Sequence, residues 1–300
     1  MSFIKLVYFY IFPVLFGCSM FGWGKIFSFN KTSNYISITI VLGMGFILFI
    51  GGILNILDLA YQSNINIIFF LGLLLFFFNI YKKKNYIKQF IFIKFKKKYL
   101  VFLIPVFLLS FSVISSINPD AYNYHDDYQK YFIHPIKMLE TGSVFGSTLS
   151  AIGLQTFGGQ SFFQSFFISF LGLKAINIFD SVFCFSICVL LIFEISKNQK
   201  TLIFGLFIAS LIILIHPQIV NISSVYSAIL FMMISIILTF ELFCEKNEIN
   251  STSSNINLIL GICICFASLI ILKTSYAIFP IIYFILLSIF LFIFGMSKKK

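Results

Sequence analysis

INIIFFLGLLLFFFNIYKKKNYIKQFIFIKFKKKYLVFLIPVFLLSFSVISSI, residues 65–117, holds eight lysines between two apolar runs that carry no charged residue. A membrane-crossing helix needs roughly 20 mostly apolar residues, and each flank supplies nearly that many. Loops rich in lysine stay on the cytoplasmic side, so the two flanks read as a span entering the cytoplasm and a span leaving it. The rest of the 300-residue chain has the same character, with 60% hydrophobic and 10% charged residues and a mean hydropathy of +1.02. An ordinary soluble domain carries about 25% charged residues, so that class is excluded. The net charge of +11 would suit nucleic acid in a soluble protein. Here the lysines sit between apolar runs and the positive-inside rule accounts for them, so nucleic acid is not an expected partner.

Working outward with the same window predicts an all-α, polytopic helical membrane protein of about nine spans. Their approximate cores are 3–23, 35–57, 65–81, 99–117, 175–195, 201–217, 224–243, 257–273 and 276–296. The first run continues through Phe21-Gly22-Trp23 without a small-x-small cleavage site, so it reads as a retained span. Anchoring 81–99 inside also brings Lys25, Lys31, Lys197, Lys200, Lys246 and Lys298 to Lys300 inside. The expected orientation is N-terminus outside and C-terminus inside, in a bacterial inner (cytoplasmic) membrane. The chain divides into a three-span segment, 1–98, and a membrane domain, 99–300, with one long outer loop at 118–174. The 43 phenylalanines and the all-lysine basic set reflect an AT-rich coding bias and carry little functional weight.

The outer loop holds the unusual residues. Asn118-Pro119 ends the preceding span, because a residue before proline avoids the α region. From Asp127 onward, Tyr128, Phe132, Ile136 and Leu139 recur at helical spacing, while Asp127, Lys130, Tyr131 and His134 share another face. This predicts an amphipathic helix on the membrane surface, kinked or restarted at Pro135 and stopped at Gly142. Residues 158–173, with SFFQSFFISFLGL, read as a second surface or re-entrant helix, a tenth span being the alternative.

Asp126-Asp127 have two readings. They cap an interfacial helix, or they form a carboxylate pair in which mutual repulsion raises one proton affinity and suits it to general-base work. His125 and His134 add imidazoles that, with the two carboxylates, could hold a divalent cation; the alternative is solvated interfacial histidine. Lys273 interrupts an apolar run from about 256 to 294 and reads either as a snorkelling lysine or as a cation facing the outer cleft to hold a phosphate. His216-Pro217 ends the sixth span at the same level. Asp180 reads as a local partner of Lys174 or as a cap, and Glu194 as an inner-end residue. The six cysteines lie in or at the ends of apolar helices, where small buried or lipid-facing residues are the plainer account, so neither a disulfide nor a metal cluster is expected of them.

With YHDDYQKY, KMLETGS and LKTSYAIFP in view, the chain resembles the C-type (GT-C) membrane glycosyltransferases, above all the protein-mannosyltransferase and aminoarabinose-transferase branch. HDDYQKY followed by GGQSF also resembles a bacterial membrane-protein family of surface-polysaccharide gene clusters. The resemblance implies that Asp126 is the general base on an acceptor hydroxyl and that Asp127 orients it or a cation. It implies that Lys273 binds the phosphate of a polyprenyl-phosphate sugar donor, with a glycan or lipid as acceptor, and that His125, His134 and His216 are accessory. The chain departs from the family in placing three spans before the acidic loop and in having no arginine. Val225-Tyr226-Ser227 stands where some relatives carry a further acidic residue. The alternatives are a polysaccharide polymerase, ligase or exporter, or a non-catalytic membrane subunit.

Overall fold

The computed structural model describes residues 3–27, 35–82, 131–145, 157–195, 223–244 and 252–297. The described residues are helical throughout, with no strand among them. That is the expected outcome for apolar sequence in lipid, where a helix satisfies its backbone polar groups within one segment. The helices are α1 (Phe3–Gly24), α2 (Ile36–Ile56), α3 (Gln62–Lys82), α4 (Ile133–Thr141), α5 (Gly159–Leu171), α6 (Phe185–Ile195), α7 (Val225–Cys244), α8 (Thr252–Leu272) and α9 (Ile278–Ser297). A π-helical turn, Phe179–Cys184, leads directly into α6.

Four helical segments are long and apolar enough to cross a membrane: Ile36–Ile56, Gln62–Lys82, Leu173–Ile195 and Val225–Phe243. Phe9–Gly24, Ile256–Leu272 and Thr274–Phe290 are further apolar helical stretches. The sequence reading expects spans at all seven of these places, and four meet the length and composition for a span among the described residues. The expected spans at 99–117 and 201–217 lie outside the described residues.

Between apolar helices in lipid the hydrophobic effect contributes little, and close packing must hold them together. Two devices do so here. Gly22 of α1 lies against the Gly72 carbonyl of α3, and Gly43 of α2 lies against the Met20 carbonyl, an approach that any Cβ would block. The other device is phenylalanine. Phe16 of α1 packs edge-on against Phe167 and Phe183, with ring centroids 5.0 Å apart in both pairs. Phe163 stacks on Phe179 at 4.6 Å, and Phe12 meets Phe167 at 5.2 Å. Each such pair contributes about 0.5–1.5 kcal/mol beyond its area. Phenylalanine, discounted in the sequence as compositional bias, is therefore the principal material of the core. Large residues such as Phe70, Leu74, Phe77, Phe284 and Phe292 are exposed on the outside, as lipid contact requires.

Polar contacts sort the helix ends. At one end, Ala60 N–H donates to the Gly142 carbonyl (2.8 Å), Val144 N–H to Asn55 Oδ1 (2.8 Å) and Ser169 Oγ to Asn66 Oδ1 (2.9 Å). Gly159 lies against Ile271, and Tyr276 Oη donates to the Ser224 carbonyl (2.9 Å). At the other end, Ile36 and Ser37 donate their N–H groups to Glu194 (2.7 and 3.1 Å). The α2–α3 connection, α4, Lys273 and the starts of α5 and α7 thus share one end of the bundle. Both ends of α5, through Gly159 and Ser169, belong to that end. α5, with 13 residues, is not among the helices long and apolar enough to cross a membrane.

Of the readings of 158–173, the surface helix is corrected and the re-entrant one is compatible: Gly159 through Phe167 are buried, because the α5 phenylalanines fill the space between α1 and the π-helical turn. α4 buries more than the expected stripe: Phe132 is buried and Leu139 packs against the core, but His134, expected on the other face, is inward too, with Pro135 and Met138. The apolar stripe read from the sequence ignored Ser161 and Ser165 of α5, whose small side chains leave room for the His134–Met138 face. The expected stop is present: Gly142 closes α4 in the left-handed region at φ 82°, donating its N–H to the Met138 carbonyl (2.9 Å).

Candidate functional site

His125, Asp126, Asp127 and His216 lie outside the described residues. Of the expected site residues, His134 and Lys273 are described, and both belong to the end defined by the α2–α3 connection. His134 is one turn before Met138, whose side chain approaches Gly158. Lys273 is two residues beyond Ile271, which covers Gly159. The start of α5 is the common support for both.

His134 is 2% exposed, and neither ring nitrogen has a hydrogen-bond partner. A solvated interfacial histidine is thus replaced by a buried one. α4 lies outside the spans, and burial, followed by the nearby Lys137 ammonium, lowers the imidazole below its usual value of 6.5. Lys137 itself donates to the Val144 (3.2 Å) and Phe145 (2.7 Å) carbonyls, holding the chain after Gly142 against α4.

Lys273 stands at the break between α8 and the 3₁₀ turn Thr274–Ala277, in extended backbone (φ −158°, ψ 130°). Its side chain is half-buried and has no carboxylate partner among the described residues. A cavity of about 10 Å³ is lined by Asn55, Met138, Gly158, Phe162 and Ile271 among others, but not by Lys273. That is space for about one water, far below the roughly 300–1,000 Å³ of a small-molecule pocket. Among the described residues no three His, Cys, Asp or Glu side chains gather as a metal site. Cys18, Cys184, Cys188, Cys263 and Cys265 are free thiols.

Two carboxylates that the sequence made little of, Asp180 and Glu194, are each held by several donors. Asp180, 4% exposed, accepts the N–H groups of Val225 (2.9 Å), Tyr226 (3.1 Å) and Ser227 (2.9 Å) and the Ser227 hydroxyl (2.7 Å). These are the first three N–H groups of α7, which a helix cannot satisfy internally, and the positive end of its dipole favours the carboxylate. Glu194 does the same for α2, with the Ser37 hydroxyl as a third donor. Both carboxylates are caps, neither serving its own helix, and Asp180 has no ion pair with the exposed Lys174 among the described residues. The sequence signal for Asp180 was an aspartate inside an apolar run, which needs partners by default. Nothing local identified a partner 45 residues away.

Compared with known proteins, the chain matches no family model, no curated sequence and no solved structure.

Proposed function

We propose that the protein is a polytopic membrane glycosyltransferase of about nine spans, acting at the outer face of a bacterial inner membrane. It uses a polyprenyl-phosphate-linked sugar in cell-envelope polysaccharide or glycoconjugate synthesis. The acceptor hydroxyl attacks the anomeric carbon, the Asp126 carboxylate takes its proton, and the bond to the polyprenyl phosphate breaks with that phosphate leaving. Asp127 orients the base and Lys273 offsets the charge on the leaving phosphate. His125, His134 and His216 are accessory in this reading.

The observation that supports it is a convergence. α4, which begins six residues after Asp127, and Ile271, two residues before Lys273, both pack at the start of α5. Lys25 after α1 and Lys82 of α3 fall at the opposite end, and the positive-inside rule supports reading the Lys273 end as the outer one. A non-catalytic membrane subunit is the second reading, favoured among the described residues by a cavity beside Met138 and Ile271 with room for about one water.

The test is turnover of a panel of short-chain polyprenyl-phosphate hexoses by the purified full chain in lipid nanodiscs, read by mass spectrometry of the donor. Asp126→Asn is expected to lower turnover by about 10²–10⁴, the range of a positioned general base, and Lys273→Ala to lower kcat as well, since the charge it offsets develops in the transition state. Turnover that survives both substitutions unchanged refutes the mechanism. A wild type inert on the whole panel favours the subunit.

A further inference from the structure

We infer that Asp180 and Tyr276 are positioning residues for Lys273. The Lys273 N–H closes the last turn of α8 on the Leu269 carbonyl (3.2 Å), and its carbonyl accepts the Tyr276 N–H (2.9 Å). The side chain has no carboxylate to hold it among the described residues, so its aim is set by the backbone of this turn. The turn is also fixed where Tyr276 Oη donates to the Ser224 carbonyl (2.9 Å).

Ser224 is itself immobilised from the other side. The three N–H groups that follow it all bind Asp180. Ser224 precedes the first residue of α7 and has the hydroxyl that ordinarily caps such a helix, yet its Oγ is buried without a hydrogen-bond partner. The carboxylate has displaced the local cap. A serine cap would have served α7 alone, whereas Asp180 ties α7 to the π-helical turn before α6. Asp180, the start of α7, Tyr276 and Lys273 therefore form one continuous series of directional bonds.

The functional meaning of this series rests on Lys273 as the donor-phosphate lysine; its geometry does not. The experiment accordingly has a readout that needs no donor. The full chain in nanodiscs is acylated with a membrane-impermeant N-hydroxysuccinimide acetate, and labelling at Lys273 is measured by mass spectrometry against exposed Lys174 in the same sample. Tyr276→Phe removes one hydroxyl and keeps the ring. It is expected to raise the Lys273-to-Lys174 ratio about five-fold, the factor that one net hydrogen bond supplies. Asp180→Asn is expected to shift the ratio in the same direction, and Tyr276→Phe keeps the idea testable where Asp180→Asn does not fold. With a polyprenyl-phosphate hexose, Tyr276→Phe is expected to lower kcat/KM, with the loss shared by kcat because Lys273 acts on charge that develops in the transition state. A labelling ratio equal to wild type in well-folded Tyr276→Phe overturns the assignment, whether or not the donor is turned over.

Discussion

Asp180→Ala removes the acceptor of four bonds at 2.7 to 3.1 Å and leaves three N–H groups at the buried start of α7 without it. Each buried donor left unmade costs about 1–3 kcal/mol. Hydrogen bonds within membrane proteins average nearer 0.6 kcal/mol in double-mutant cycles, which places the loss toward the lower end. The Ser224 hydroxyl can then turn to the N–H it ordinarily serves, recovering about 1 kcal/mol as a normal serine cap. The expected net loss is about 3 kcal/mol. Unfolding of the purified protein by dodecyl sulfate in mixed micelles measures it. Trp23 is the only tryptophan, and its indole N–H donates to the Ile68 carbonyl (3.1 Å), so its fluorescence reports the distant α1–α3 packing. The cycle with Ser224→Ala is the sharper check. In the wild type, Ser224→Ala is expected to cost almost nothing, but about 1 kcal/mol in the Asp180→Ala background. Equal costs in both backgrounds, or an Asp180→Ala protein as stable as wild type, refute the displaced-cap argument.

Glu194→Ala is expected to cost about 2 kcal/mol in the same assay by uncapping α2, with Ser37→Ala costing less because it leaves both N–H bonds in place. Gly142→Ala is expected to destabilise by more than about 1 kcal/mol, since φ is 82° and an added Cβ meets the Asp58 carbonyl; Glu140→Ala, on the exposed face of α4, is the neutral control. His134 gives a pH dependence. Its folded value is lowered, so below the unfolded value of about 6.5 the unfolded chain binds more protons. The contribution is complete above that pH and is lost as pH falls through the folded value. Melting temperature between pH 7.5 and 5 should fall in the wild type and fall less in His134→Leu; parallel profiles would count against a buried neutral imidazole.

Much of the fold is legible in single stretches of sequence, because a span is a local property. The runs around Ile36, Gln62, Val225 and Ile278 give helices within a few residues of the expected bounds. Lysine counting also sorted the helix ends in the same way as the hydrogen bonds, since Lys25 and Lys82 fall on the Glu194 side. The partners of polar groups were not legible. Asp180 was read as a local pair with Lys174 or a cap, and it is a cap, but of a helix 45 residues later. Glu194 was passed over as an end residue because its helix begins 158 residues earlier. His134 was assigned to an outward face by periodicity alone, and the serines of α5 that admit it inward are no part of that pattern. For the site, YHDDYQKY and Lys273 were singled out by rarity in apolar surroundings, a signal that carries no information about distance.

The Glu194 cap also bears on how the protein is made. A ribosome delivers residues in order, at about 5–20 per second. The first turn of α2 emerges before the carboxylate that completes it, which follows 158 residues later, a delay of roughly 8–30 s at that rate. Throughout that interval the Ile36 and Ser37 amides at the start of α2 have water, not Glu194, as the partner available to a free helix end. The Glu194 cap therefore joins the first helices to the later ones only after most of the chain between them has been made.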